Sequence, residues 1–144
     1  MIQKAAFYIL NNDPSPKGRI LYACRIIAKA YNNNHQIYVH TNSLDEAQNF
    51  DTQLWTFNDI SFIPHEIYTP NSNLDIPILI GYGDNFPART NNILVNFTHE
   101  IAPFYRQFGH IIEIIPNEEN LKATARQRFQ IYQKDGYTTE VFNV

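Results

Sequence analysis

Short apolar runs alternating with stretches of helical spacing constrain this chain more than any single motif. Ala5–Leu10 is an apolar run closed by Asn-Asn-Asp-Pro, which reads as a buried strand leading into a loop. From Gly18 to Tyr31, the residues Ile20, Leu21, Cys24, Ile27, Ala28 and Tyr31 keep helical spacing, and Asn32–Asn34 stop the helix. A second strand follows at Gln36–His40. Ser43 with Glu46 three residues later forms a capping-box pattern that opens a helix through Leu44, Ala47 and Leu54. This β-α-β-α start favours parallel strands joined by crossover helices.

The middle of the chain, Trp55–Pro70, is less regular. Pro77–Gly81 and Ile93–Phe97 read as buried strands separated by the loop Tyr82–Asn92. A helix over His99–Phe108 is expected to connect to a strand at Ile111–Ile115. A last helix follows Pro116, with Asn117 as its cap and Gly136 as its stop, and Thr138–Phe142 alternates as a terminal edge strand. The order predicts one three-layer α/β domain, residues 1–144, with a mainly parallel sheet. No repeat, linker or low-complexity block divides it.

Charge and cysteine usage narrow the function classes. Eleven Lys and Arg stand against 14 Asp and Glu, net -3, so broad attraction to nucleic acid is not indicated. The single cysteine, Cys24, excludes an internal disulfide or a cysteine metal cluster and fits a reduced, cytoplasmic setting. No stretch approaches the roughly 20 apolar residues of a membrane helix, and a soluble protein is expected.

An α/β frame invites nucleotide chemistry, but the instruments are missing. The first strand-to-helix connection, Asn11–Gly18, has one glycine among two prolines and cannot cradle a phosphate as a glycine-rich turn does. Gly81-Tyr82-Gly83 begins like G-x-G, yet Phe86 holds the third glycine's place. None of the five histidines pairs with another at i, i+4, no G-x-S-x-G elbow occurs, and no metal or cofactor is expected. His99 and Glu100, adjacent at a strand end, and the Gly81–Gly83 loop are what a small nucleotide-binding or hydrolytic enzyme would have to use.

Binding features are better represented. On the last helix Leu121, Ala125, Tyr132 and the stem of Arg128 fall on the side that packs on the sheet. Lys122, Arg126 and Gln130 recur at i, i+4, i+8 on another side, with Phe129 between the faces, giving cations beside an apolar floor and no acidic residue in that row. Such a row is either a solvated face or a receptor for something acidic. Trp55, Phe57, Phe62, Ile63 and Pro64 cluster in the irregular stretch, where they either cover the core or form a contact patch; local reasoning favours the core.

Four stretches carry a family resemblance: AAFYIL near the N-terminus, DEAQNFDTQLW with the following FIPH, the strand ILVNF, and the block IIPNEENLKATARQRFQIYQKDGY. In these the chain resembles the chi subunit of bacterial DNA polymerase III, an accessory protein of the clamp-loader assembly. The resemblance implies a Rossmann-like α/β/α fold without nucleotide chemistry or catalysis. It also implies an adaptor that binds the psi subunit on one surface and the acidic C-terminal tail of single-stranded DNA-binding protein (SSB) on another, meeting DNA only indirectly. By the same resemblance Lys122 and Arg126 meet the tail's carboxylates, Ile115 and Phe129 border the pocket for its final phenylalanine, and Trp55, Phe62 and Pro64 face psi. Gln130 stands where the family pattern often has a further lysine, which thins the basic ledge.

Overall fold

A computed structural model of the chain describes residues 3–11, 15–57, 62–89 and 92–144. Within them one seven-stranded sheet runs β1 (Lys4–Leu10), β2 (Gln36–Thr41), β3 (His65–Ile67), β4 (Ile78–Tyr82), β5 (Asn92–Asn96), β6 (His110–Pro116) and β7 (Thr138–Asn143). Their spatial order is β3-β4-β2-β5-β6-β1-β7, and every pairing is parallel. Three helices cross over between strands: α1 (Pro16–Asn32), α2 (Leu44–Thr56) and α3 (Glu119–Lys134).

The central strands are apolar on both sides because both faces of the sheet are covered. Ile37, Val39, Ile78, Ile80, Ile112 and Ile114 point to the layer of α1 and α2. Ala5, Phe7, Tyr38, Leu79, Leu94, Ile111 and Ile115 point to the layer containing α3. This is the expected three-layer α/β architecture.

Helix starts follow local chemistry. Ser15 Oγ accepts the Gly18 N–H at 3.0 Å and Pro16 occupies the first turn, so α1 begins two residues before the predicted Gly18. Ser43 Oγ accepts the Glu46 N–H at 3.2 Å, while Glu46 Oε1 takes the Asn42 N–H at 2.9 Å, which completes the expected capping box one residue early.

Three expectations are corrected. The segment His99–Phe108 is not a helix but a run of bends ending in one 3-10 turn, Tyr105–Gln107. Its buried residues Ala102, Tyr105 and Phe108 repeat every three residues, which a tight turn satisfies as well as a helix does. Asn117 does not cap α3: Glu118 occupies that position without a side-chain bond. Asn117 stays in the turn after β6, where its N–H donates to the Leu10 carbonyl at 3.1 Å. The irregular stretch after α2 contains the short strand β3, paired with β4; its residues 58–61 lie outside those described.

Candidate functional site

The predicted basic helix lies over the edge of the sheet where β7 pairs with β1. In that pairing Phe7 sits opposite Val141 and Ile9 opposite Asn143. Alternation along parallel strands sends all four side chains to the α3 side. Above them α3 contributes Lys122, Ala125, Arg126 and Phe129, and together the eight residues line a groove of about 320 Å³. Phe129 is half-buried and anchored against the Phe7 ring at 5.5 Å between centroids. The floor is apolar, and the two cations stand on its helical side.

The cations are not equivalent. Lys122 Nζ donates to Asn117 Oδ1 at 3.0 Å and lies 3.4 Å from Glu119 Oε1, so the row does have an acidic neighbour, contrary to expectation. Arg126 is exposed and has no hydrogen bond or ion pair among the described residues. An exposed pair such as Lys122–Glu119 is worth at most about 1 kcal/mol and can yield to a better anion. The groove therefore offers one free guanidinium, one exchangeable ammonium and an apolar cleft, a combination suited to an acidic peptide with an apolar end.

Of the other residues the resemblance placed here, Gln130 is exposed on α3 but outside the groove lining, and Ile115 does not border the groove. At 2% exposure Ile115 is buried with Ala125 and Phe129 in the apolar layer beneath. Phe7, Ile9, Val141 and Asn143 were not singled out from the sequence. Their signal was the shared parity of the first and last strands, which becomes legible only once those strands are known to pair.

A buried polar cluster orients α3. Glu113, fully buried within the run of isoleucines in β6, accepts from Tyr132 Oη at 2.7 Å and from Asn96 Nδ2 at 3.1 Å. Arg128 Nε lies 3.2 Å from the same oxygen. Burial and the neighbouring carboxylate push the Tyr132 phenol well above its ordinary range. Arg128 thus contributes a charge inward, and with it the rotation of α3 that leaves Arg126 facing out.

The aromatic cluster at the end of α2 and just beyond it divides. Ile63 is core and Phe57 packs against the core, but Trp55 is 53% exposed and Phe62 65% exposed, with their rings 5.3 Å apart. Pro64 is half-buried. The Trp55 ring rests 4.7 Å from His65, whose side chain is tied to Ile63 O at 2.6 Å and to Asp51 Oδ1 at 3.3 Å. For Trp55 and Phe62 the core reading is therefore replaced by an exposed apolar patch on a fixed base.

The residues of the enzymatic alternative also come together. Gly83, His99 and Glu100 line a polar crevice of about 310 Å³ at the carboxyl ends of β2, β4 and β5. Gly81 is explained by packing: a Cβ there would come within 2.9 Å of Tyr38 Cε1, so the strand needs glycine to admit that ring. Gly83 has φ +72° and makes the turn. Among the described residues the only hydroxyl bonded to a histidine ring is the Tyr38 phenol, and no group of three or more His, Cys, Asp or Glu is placed to hold a metal. Burial pushes the Cys24 thiol up to about 12, far from a nucleophile's range. No helix among the described residues is long and apolar enough to cross a membrane.

Comparison with known proteins gives the family. Residues 2–140 match the family model described as DNA polymerase III chi subunit, HolC. The chain belongs to the DNA polymerase III chi subunit family. A chi subunit from Pseudomonas aeruginosa is 32% identical over 91% of this chain and 89% of its own length. The Escherichia coli chi subunit is 24% identical over 94% of this chain and 95% of its own. The Haemophilus influenzae one is 26% identical over 100% and 99%. All three relatives are named DNA polymerase III subunit chi. Among solved structures, T4 UvsW shares the fold with TM-score 0.67 at 8% identity, over 99% of this chain and 41% of that longer one.

Proposed function

We propose that this chi-family chain is a non-catalytic adaptor of the bacterial DNA polymerase III holoenzyme, linking the clamp loader, through psi, to the acidic C-terminal tail of SSB. The observation that carries the reading is the groove between α3 and β7, where Arg126 and Lys122 stand beside an apolar cleft. The tail's terminal phenylalanine would enter over Phe7, Ile9 and Phe129, and its carboxylates would meet Arg126 and displace Glu119 from Lys122. The exposed Trp55–Phe62 patch would take psi, whose docking would remove large apolar side chains from water. The cytoplasm, where replication assemblies work, is the expected location.

Titration with a peptide of acidic residues ending in Ile-Pro-Phe tests the groove. Saturable binding at low salt is expected, and Arg126→Ala should weaken it at least tenfold, since a charge-assisted contact is worth about 1.5 to 3 kcal/mol. The thermal midpoint should barely move, because Arg126 is exposed and holds no partner among the described residues. Absence of binding to the unaltered chain would sink the assignment.

A further inference from the structure

The crevice at the carboxyl ends of β2, β4 and β5 shares no residue with the groove and lies at the place where open parallel sheets receive ligands. Two of its polar residues are buried, Thr41 at 1% exposure and His40 at 4%. Tyr38 Oη lies 3.0 Å from His40 Nδ1 and 3.0 Å from the Asn85 carbonyl. The phenol has one proton, and the carbonyl can only accept it. Nδ1 must therefore donate to the phenol oxygen, which fixes the neutral tautomer and leaves Nε2 as a bare acceptor. Nε2 has no hydrogen-bond partner among the described residues. The Phe104 ring, edge-on at 4.8 Å, and the Tyr38 ring hold the imidazole in place.

The rest of the lining decides which ligand could use that acceptor. Thr41 Oγ1 donates to carbonyls, Gly81 O at 2.9 Å or Ser43 O at 3.1 Å, and Thr98 Oγ1 donates to Asn96 Oδ1 at 2.6 Å or to Glu100 O. Neither hydroxyl has a proton to spare for an anion. Asp84 and Glu100 are exposed carboxylates at the mouth, and among the described residues no lysine or arginine lines the crevice. Burial pushes the His40 imidazole down to about 4 despite the opposing pull of Asp84, so at neutral pH it stays an acceptor. Apart from the exposed His99 ring, which keeps an N–H, these side chains would offer a phosphate acceptors and negative charge.

We infer that this crevice is a binding site for a guanidinium group, the flat cation that can give one N–H to His40 Nε2 and others to the carboxylates of Asp84 and Glu100. Guanidinium suits it better than ammonium because its N–H groups are fixed in a plane and weakly hydrated, so they reach a recessed acceptor and an outer carboxylate together. An arginine side chain of a protein partner is the source that the recessed acceptor and outer acidic rim fit.

The test uses the full chain labelled with nitrogen-15, following imidazole resonances at pH 7 during titration with N-acetylarginine methylamide, spermidine or AMP at matched ionic strength. The arginine compound should move His40 Nε2 saturably, at least threefold more tightly than spermidine. The double variant Asp84→Asn/Glu100→Gln, altered only at exposed positions, should lose that affinity at least fivefold, whereas Arg126→Ala should keep it. No saturable movement, equal affinity in the double variant, or tighter binding of spermidine or AMP would each overturn the assignment. Because Arg126→Ala acts only on the groove, failure of the tail reading and failure of this one are separable.

Discussion

His40 shows how the fold sets the chemistry of one side chain. Its ordinary value is 6.5, and burial pushes it down to about 4 in the folded chain. Between those values the unfolded chain binds a proton that the folded chain refuses. The stability contributed by keeping His40 neutral is therefore fully present above about pH 6.5 and is lost as pH drops toward 4. The shift corresponds to at most about 3 kcal/mol, of which about 2 falls between pH 7 and pH 4.5. Urea denaturation at pH 7 and pH 4.5 should show the unaltered protein losing about 2 kcal/mol more than His40→Gln. Equal losses would mean that His40 is not the group responsible. Nothing in the sequence marked His40 among the five histidines. Its phenol partner is two residues away on the same strand, but Asn85 and Phe104, which fix the phenol and cover the ring, arrive from distant loops.

At the scale of elements, α3 carries two arginines with opposite fates. Arg128 is 6% exposed and faces Glu113, whereas Arg126 is exposed. Removing one partner of a buried pair strands the other, which costs about 3 to 5 kcal/mol, while exposed substitutions stay within about 0.5. Arg128→Met should thus lower the urea midpoint by an amount equivalent to about 3 kcal/mol, and Arg126→Met should leave it nearly unchanged; similar midpoints would refute the division. Most elements were legible because strands and helices differ in period, and the spacing of Leu121, Ala125 and Tyr132 placed the inner side of α3 correctly. Residues 99–108 were misread because a repeat of three at Ala102, Tyr105 and Phe108 fits a helix and a chain of turns equally. The groove was half legible. Its helical wall was written in Lys122, Arg126 and Phe129, but its other wall depends on β7 returning to β1, a long-range pairing with no local signal.

In the whole molecule the two candidate contact surfaces are well separated. Trp55 belongs to α2 in one outer layer, toward the β3 edge; the α3 groove belongs to the other layer, at the β7 edge. Six strand spacings lie between those edges, roughly 30 Å. Both surfaces can therefore be occupied at once, as the proposed adaptor role requires. Trp55→Ala should abolish or strongly weaken capture of psi while leaving tail-peptide affinity unchanged and the thermal midpoint little altered, since Trp55 is 53% exposed. Loss of fold in that variant would return Trp55 to the core.

The uniformly parallel sheet has a mechanical consequence for such a linker. A pull between partners at its two edges would act across the strands, in the direction of the hydrogen bonds that join them, rather than along their length. Bonds loaded that way open one after another from an edge inward, so the connection would give way under modest tension by peeling β3 or β7, well before the central strands part.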